Sequence, residues 1–185
     1  LDVAYNGKDL WVAVGGSGKR SYSYDGINWS ATTNIFGGSN ISAISYNGRS
    51  LWVAVGNSGK TAYSYDGINW SGTTNIFGGS SILDVAYNGK DLWVAVGGSG
   101  KTAYSYDGIN WSSTTDIFGS NDIYSIKYNG KDLWVSVGSV GLTAYSSDGI
   151  NWSSTTDIFG SSTIFDLAVL HNSNAGLIAH GSPYN

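Results

Sequence analysis

Cysteine is absent from this 185-residue chain, which excludes disulfides and thiolate-held metals alike. Glutamate is absent too, since all 13 acidic residues are aspartates. Paired-carboxylate hydrolysis would therefore have to run on two Asp side chains. Lys and Arg number only nine against those 13, for a net charge of −4, so there is no broad basic footprint for nucleic acid. Charged residues make up 12% of the chain, about half the ~25% of an ordinary domain. No apolar run approaches the ~18 residues of a membrane span. No signal peptide is visible, and the chain begins at Leu1, not Met, which leaves room for an upstream segment.

What is abundant is glycine, at 27 residues against one proline. Such a composition could pass for low complexity. Eight Trp and thirteen Tyr argue otherwise, because large aromatics supply the burial that disordered chains lack. The order behind the composition is a repeat. Tyr-Asn-Gly starts at Tyr5, Tyr46, Tyr87 and Tyr128, and Asp-Gly-Ile-Asn-Trp-Ser at Asp25, Asp66, Asp107 and Asp148, each at a spacing of 41. Leu1–Lys19 and Leu83–Lys101 are identical at all nineteen positions. Identity this high means recent duplication or deliberate design, and repetition alone then cannot flag function.

Each repeat holds four strand candidates bounded by turn residues. In the third they are Ile82–Tyr87, closed by Asn88-Gly89 as a hairpin signal; Leu92–Val96, closed by the Gly-Gly-Ser-Gly run; Thr102–Tyr106, closed by Asp107-Gly108; and a fourth from Asn110-Trp111 through Ser112–Thr115. Four short antiparallel strands in 41 residues is the size of one propeller blade. The second strand, Leu-Trp-Val-Ala-Val, is apolar on both faces, as a sheet sandwiched between neighbours requires; a two-sheet sandwich would alternate. The fold expected is an all-β propeller forming one domain over 1–185, with repeats 1–41, 42–82, 83–123 and 124–164 and a partial repeat 165–185.

The stretch Ser105-Tyr106-Asp107-Gly108-Ile109-Asn110-Trp111 resembles the Asp-box of sialidase-type propellers, Ser-x-Asp-x-Gly-x-x-Trp, in a form one residue shorter. It recurs at Ser23–Trp29, Ser64–Trp70 and Ser146–Trp152, and the family places it between third and fourth strands. The resemblance implies turn-holding roles for Asp25, Asp66, Asp107 and Asp148 and packing roles for Trp29, Trp70, Trp111 and Trp152. The chemistry agrees. An Asp carboxylate accepts N–H bonds within its own turn, and Gly supplies a positive φ. A sialidase clamps its substrate carboxylate with three Arg, whereas this chain has only Arg20 and Arg49, at different repeat positions. The resemblance therefore points to a binding propeller and not an active sialidase.

No other catalytic pattern stands out. His171 and His180, the only histidines, lie in the degenerate tail. Gly97-Gly98-Ser99-Gly100-Lys101-Thr102 resembles a phosphate loop but lacks the glycine gap and the following helix. Neither metal nor cofactor is expected. In a propeller the two–three and four–one loops share a face, which would display Lys19, Lys60 and Lys101 with Asn34, Asn75, Asp116 and Asp157. Leu142 breaks the Gly-Lys step in the fourth repeat. Polar loops beside aromatics suit sugars, so the leading reading is a non-catalytic, multivalent glycan-binding propeller. The alternatives are a structural or protein-interaction module on a secreted or viral surface, since the Trp-Val-Ala-Val-Gly and Tyr-Ser-Tyr-Asp-Gly phrases resemble repeats of large DNA viruses, and an engineered scaffold. Asn28, Asn69, Asn110 and Asn151 begin Asn-Trp-Ser sequons, and Asn40 begins Asn-Ile-Ser; they are read as turn residues rather than glycan acceptors.

Four repeats use 164 residues. The tail repeats only strands one and two, at Ile164–Ala168 and Leu177–Gly181. Half a blade would leave an open edge. Extra polypeptide upstream, or strand pairing with another chain, is expected to complete a five-bladed ring; a fragment of a larger ring is the alternative.

Overall fold

The computed structural model describes residues 1–155, 157, 159–169 and, as backbone, 177–181. The first repeat contributes β1 (Asp2–Tyr5), β2 (Trp11–Val14), β3 (Lys19–Ser23) and β4 (Thr33–Asn34). The second contributes β5 (Ile41–Tyr46), β6 (Trp52–Gly56), β7 (Lys60–Ser64) and β8 (Thr74–Asn75). The third gives β9 (Ile82–Tyr87), β10 (Trp93–Gly97), β11 (Thr102–Ser105) and β12 (Ser112–Ser113). The fourth gives β13 (Ile123–Tyr128), β14 (Trp134–Gly138), β15 (Thr143–Ser146) and β16 (Ser153–Ser154), and the tail adds β17 (Ile164–Val169) and β18 (Leu177–Gly181). Each repeat is one antiparallel meander with its strands in sequence order, and β17 pairs with β18.

Two local expectations change. Tyr87 pairs with Trp93, so the connection marked by Asn88-Gly89 is a five-residue loop, one residue longer than the strand bounds Ile82–Tyr87 and Leu92–Val96 imply. Its organiser is Asn88, whose Oδ1 accepts the N–H groups of Lys90, Asp91 and Leu92 at 2.9–3.0 Å. One side-chain oxygen thus replaces three ladder bonds, and Leu92 enters the core instead of the strand. The fourth strand also moves. In the first two repeats it forms at Thr33–Asn34 and Thr74–Asn75, beyond the stretch after Trp. There Ser30 and Ser71 bridge to Tyr22 and Tyr63 through Ser N–H and hydroxyl bonds, so the edge pairs in two short pieces.

The core lies between sheets. Leu51, Val53 and Val55 of the second sheet pack with Ile82, Val85, Trp93 and Ala95 of the third. Matching clusters join first to second and third to fourth, while Ile164 and Leu167 close against Val137. Trp52, Trp93 and Trp134 are almost fully buried. Strand two is therefore covered on both faces, as its continuous apolar run predicts.

Gly108 shows how tight this junction is. Its φ is +71°, and an added Cβ would lie 2.7 Å from Leu51 Cδ2 of the preceding sheet and 3.1 Å from Trp93 Nε1. Gly108→Ala is expected to cost ~1–3 kcal/mol through strain and overpacking, read as a lower denaturant midpoint at unchanged slope.

Candidate functional site

Between third and fourth strands the chain makes the same turn four times. Asp107 Oδ1 accepts the N–H of Ile109 at 2.8 Å and of Asn110 at 2.7 Å, while Oδ2 accepts Asn110 Nδ2 at 2.8 Å. Buried Ser105 donates its hydroxyl to Asp107 Oδ1 and accepts the N–H of Gly108 at 2.8 Å. Asp25, Asp66 and Asp148 repeat these bonds. The box Trp is peripheral: Trp70, Trp111 and Trp152 are half-buried and donate Nε1 to the turn Gly carbonyl, and Trp29 is exposed. In every sequon of this turn the Asn amide nitrogen that a glycan would occupy is bonded to Asp Oδ2.

Burial pushes the Asp66, Asp107 and Asp148 carboxyls up, but bonds from Asn, Ile and Ser outweigh it and hold each at about 2. Asp25 is likewise lowered, chiefly by Asn28. An unfolded Asp titrates near ~3.9, so each turn contributes stability above that pH and loses it as pH falls towards ~2. Solvent exposure keeps each contribution modest. Asp107→Ala is expected to cost ~1–2 kcal/mol through lost turn bonds without abolishing binding. Thermal unfolding between pH 5 and pH 2 should show a shallower acid loss for Asp107→Asn than for the parent chain.

The second–third turn and the fourth–first loop do share one face. Asn34 Nδ2 donates to Ser17 O at 2.7 Å while its Oδ1 accepts Gly37 N–H, and Asn75 makes the same pair with Ser58 and Gly78. Lys60 Nζ donates to Phe36 O and Lys101 Nζ to Phe77 O, both at 2.8 Å and both across to the preceding sheet. Lys19 is exposed and makes no such bond among the described residues. Asp157 accepts the N–H of Phe159 at 2.9 Å. The structure brings Lys101 and Asp116 together in a cleft of about 260 Å³ with Ile76, Phe77, Thr102 and Thr114. Arg20 is buried between first and second sheets, donating to Ile68 O and lying over the Tyr22 ring. His171 lies outside the described residues, and His180 is described only as backbone.

A larger space was not singled out from sequence. First strands of all five repeats line a common cavity of about 460 Å³. There Lys127 Nζ pairs with Asp84 Oδ2 at 2.8 Å. Burial pushes the Lys127 ammonium down, but Asp84, with Asp166 and Asp2 behind it, more than offsets this and raises its pKa. Asp2 is raised, mainly by burial. At one end Tyr46, Tyr87 and Tyr128, with Asn47 and Asn88, line a second cavity of about 450 Å³. These rings pack at a tilt against Trp52, Trp93 and Trp134, with centroids 4.5, 4.7 and 4.9 Å apart. Burial raises all three phenols, so they stay neutral donors at pH 7. A signal was available: Lys127 stands where the other repeats have Ala4, Ser45, Ala86 and Ala168.

The chain matches no protein-family model and no curated protein. Solved structures do match. "YCF48 bound to D1 peptide" aligns at TM-score 0.68 and 15% identity, over 90% of this chain and 56% of that one. Chaetomium thermophilum Raptor aligns at 0.74 and 11%, over 97% and 18%. The computationally designed Ika8 protein aligns at 0.71 and 14%, over 97% and 54%. All are propeller-like, and at such identities the likeness shows the fold. The chain folds as a β-propeller. Its described blades are four of four strands and one of two, and it spans little more than half of the YCF48 and Ika8 chains. Among the described residues no group of three or more His, Cys, Asp or Glu could hold a metal, and no helix is long and apolar enough to cross a membrane.

Proposed function

We propose that this chain is a non-catalytic binding propeller whose partner is a protein, held as a polypeptide segment at the tyrosine-ringed mouth of the central channel. The observation that carries this is the 450 Å³ cavity where three Tyr-Asn-Gly loops converge. Flat rings braced by Trp offer stacking area with little side-chain entropy left to lose. Neutral phenols and Asn amides offer donors and acceptors for a peptide backbone. Beneath them the Asp84–Lys127 pair gives the channel a fixed polarity. The likeness to YCF48 bound to the D1 peptide supports a peptide as partner by analogy only. The reading assigns no catalysis, because the turn carboxylates are saturated by their own bonds. It keeps the Ser-x-Asp-Gly-x-Asn-Trp turn as a variant Asp-box with a structural role.

Glycan binding stands as a second reading on one observation, the cleft that joins Lys101 and Asp116 beside Thr hydroxyls. Lys101 would have to serve a sugar while holding Phe77 O, which favours the channel mouth. A random-peptide array and a glycan array, each probed with the parent chain and with Tyr87→Ala/Tyr128→Ala, separate the two. Peptide capture lost at least tenfold in the double variant, at unchanged circular dichroism, is the expected result. Glycan capture indifferent to the tyrosines would reverse the assignment.

A further inference from the structure

The first blade shows solvent a face that every later blade buries. Val3 is 50% exposed, whereas its repeat equivalents Ile44, Val85, Ile126 and Leu167 are at 5% or less. Trp11 is half-buried where Trp52, Trp93 and Trp134 are buried. Lys19 is free among the described residues where Lys60 and Lys101 reach the preceding blade's Phe carbonyl. What covers such a face is seen within the chain: the rear of a preceding blade, made of Leu10, Val12, Val14 and Phe36 at the first junction.

The channel edge says which kind of blade fits. Asp2 Oδ1 accepts the N–H of Val3 at 2.8 Å, and its Oδ2 accepts that of Ile44 in the next blade at 2.9 Å. Asp84 does the same for Val85 and Ile126. One carboxylate thus serves the innermost edges of two blades, and the blade between carries Ala43 or Ser125. Asp166 begins a third unit. Its Oδ1 accepts the Leu167 N–H at 2.8 Å and lies 3.0 Å from Ser125 Oγ; its Oδ2 accepts no bond among the described residues. The identity of Leu1–Lys19 with Leu83–Lys101 has the same two-repeat period.

We propose that the open face of the first blade docks the rear face of a blade of this same repeat that carries Ala or Ser, not Asp, at the channel position. Blades then assemble as carboxylate-sharing pairs, and the complete ring holds an even number of them. A five-blade closure would work against both features of this arrangement. It would set Asp166 directly beside Asp2 and offer Asp166 Oδ2 the Val3 N–H that Asp2 already holds.

The test adds a copy of residues 42–82 ahead of Leu1, which recreates the natural junction before Leu83. A second form differs only by Ala43→Asp in the added copy. In the Ala form the added blade should bury Trp11, blue-shifting tryptophan emission, and raise the unfolding midpoint by several degrees. The Asp form should unfold several degrees lower than the Ala form at pH 7. That gap should close near pH 3, because the charged groups facing the new carboxylate along the channel are Asp2, Asp84, Asp166 and Lys127. Unchanged emission and midpoint in both forms would overturn the docking face. An Asp form as stable as the Ala form at pH 7 would overturn the pairing and the even count.

Discussion

Double-sided burial of the second strand is the constraint from which the rest of this molecule follows. Trp93, Val94, Ala95 and Val96 are buried at or below 1% exposure, two facing forward and two back. A sheet of four short strands has no core of its own, so each repeat is stable only through its neighbours. Packing runs almost entirely within a sheet or to the next one in sequence. The molecule is thus a stack bent round a channel.

Given that stack, every connection must satisfy its polar groups locally, since each lies at one end of a thin sheet. Side chains do this in three of the four connections: Asn88 in the first, Asp107 with Ser105 in the third, Asn75 in the fourth. These saturated residues make the repeat legible, and for the same reason they are poor candidates for binding. Lys60 and Lys101 follow this logic across blades, where an ammonium caps a carbonyl at the junction.

The fold was legible in the sequence because a 41-residue period, both-faced apolar strands and Asn-Gly and Asp-Gly turns all describe one blade. The loop after Tyr87 is one residue longer than its sequence bounds imply, because Leu92 reads as the start of an apolar strand; only its depth in the inter-blade core, a tertiary fact, assigns it to the loop. The loop face was found, but not that its lysines reach back to the preceding blade, since such a bond depends on blade spacing. The channel was missed for a different reason. Its residues are 41 apart and mostly small, and they converge only when first strands line one axis. Lys127 and the alternation of Asp2, Ala43, Asp84, Ser125 and Asp166 become meaningful once that axis is known.

Near-identical junctions carry a hazard for any repeat chain: during folding, a blade can settle against the wrong neighbour at little energetic penalty. The inter-blade apolar surfaces here barely discriminate, as the shared Trp-Val-Ala-Val core shows. The channel carboxylates do discriminate, because they alternate. An Asp-bearing blade slipped by one position meets a second carboxylate where it needs an N–H, whereas a slip by two meets an Ala or Ser blade, as in the native order. The inner edge therefore acts as a parity check on assembly, because two Asp-bearing blades set side by side bring like charges together along the channel.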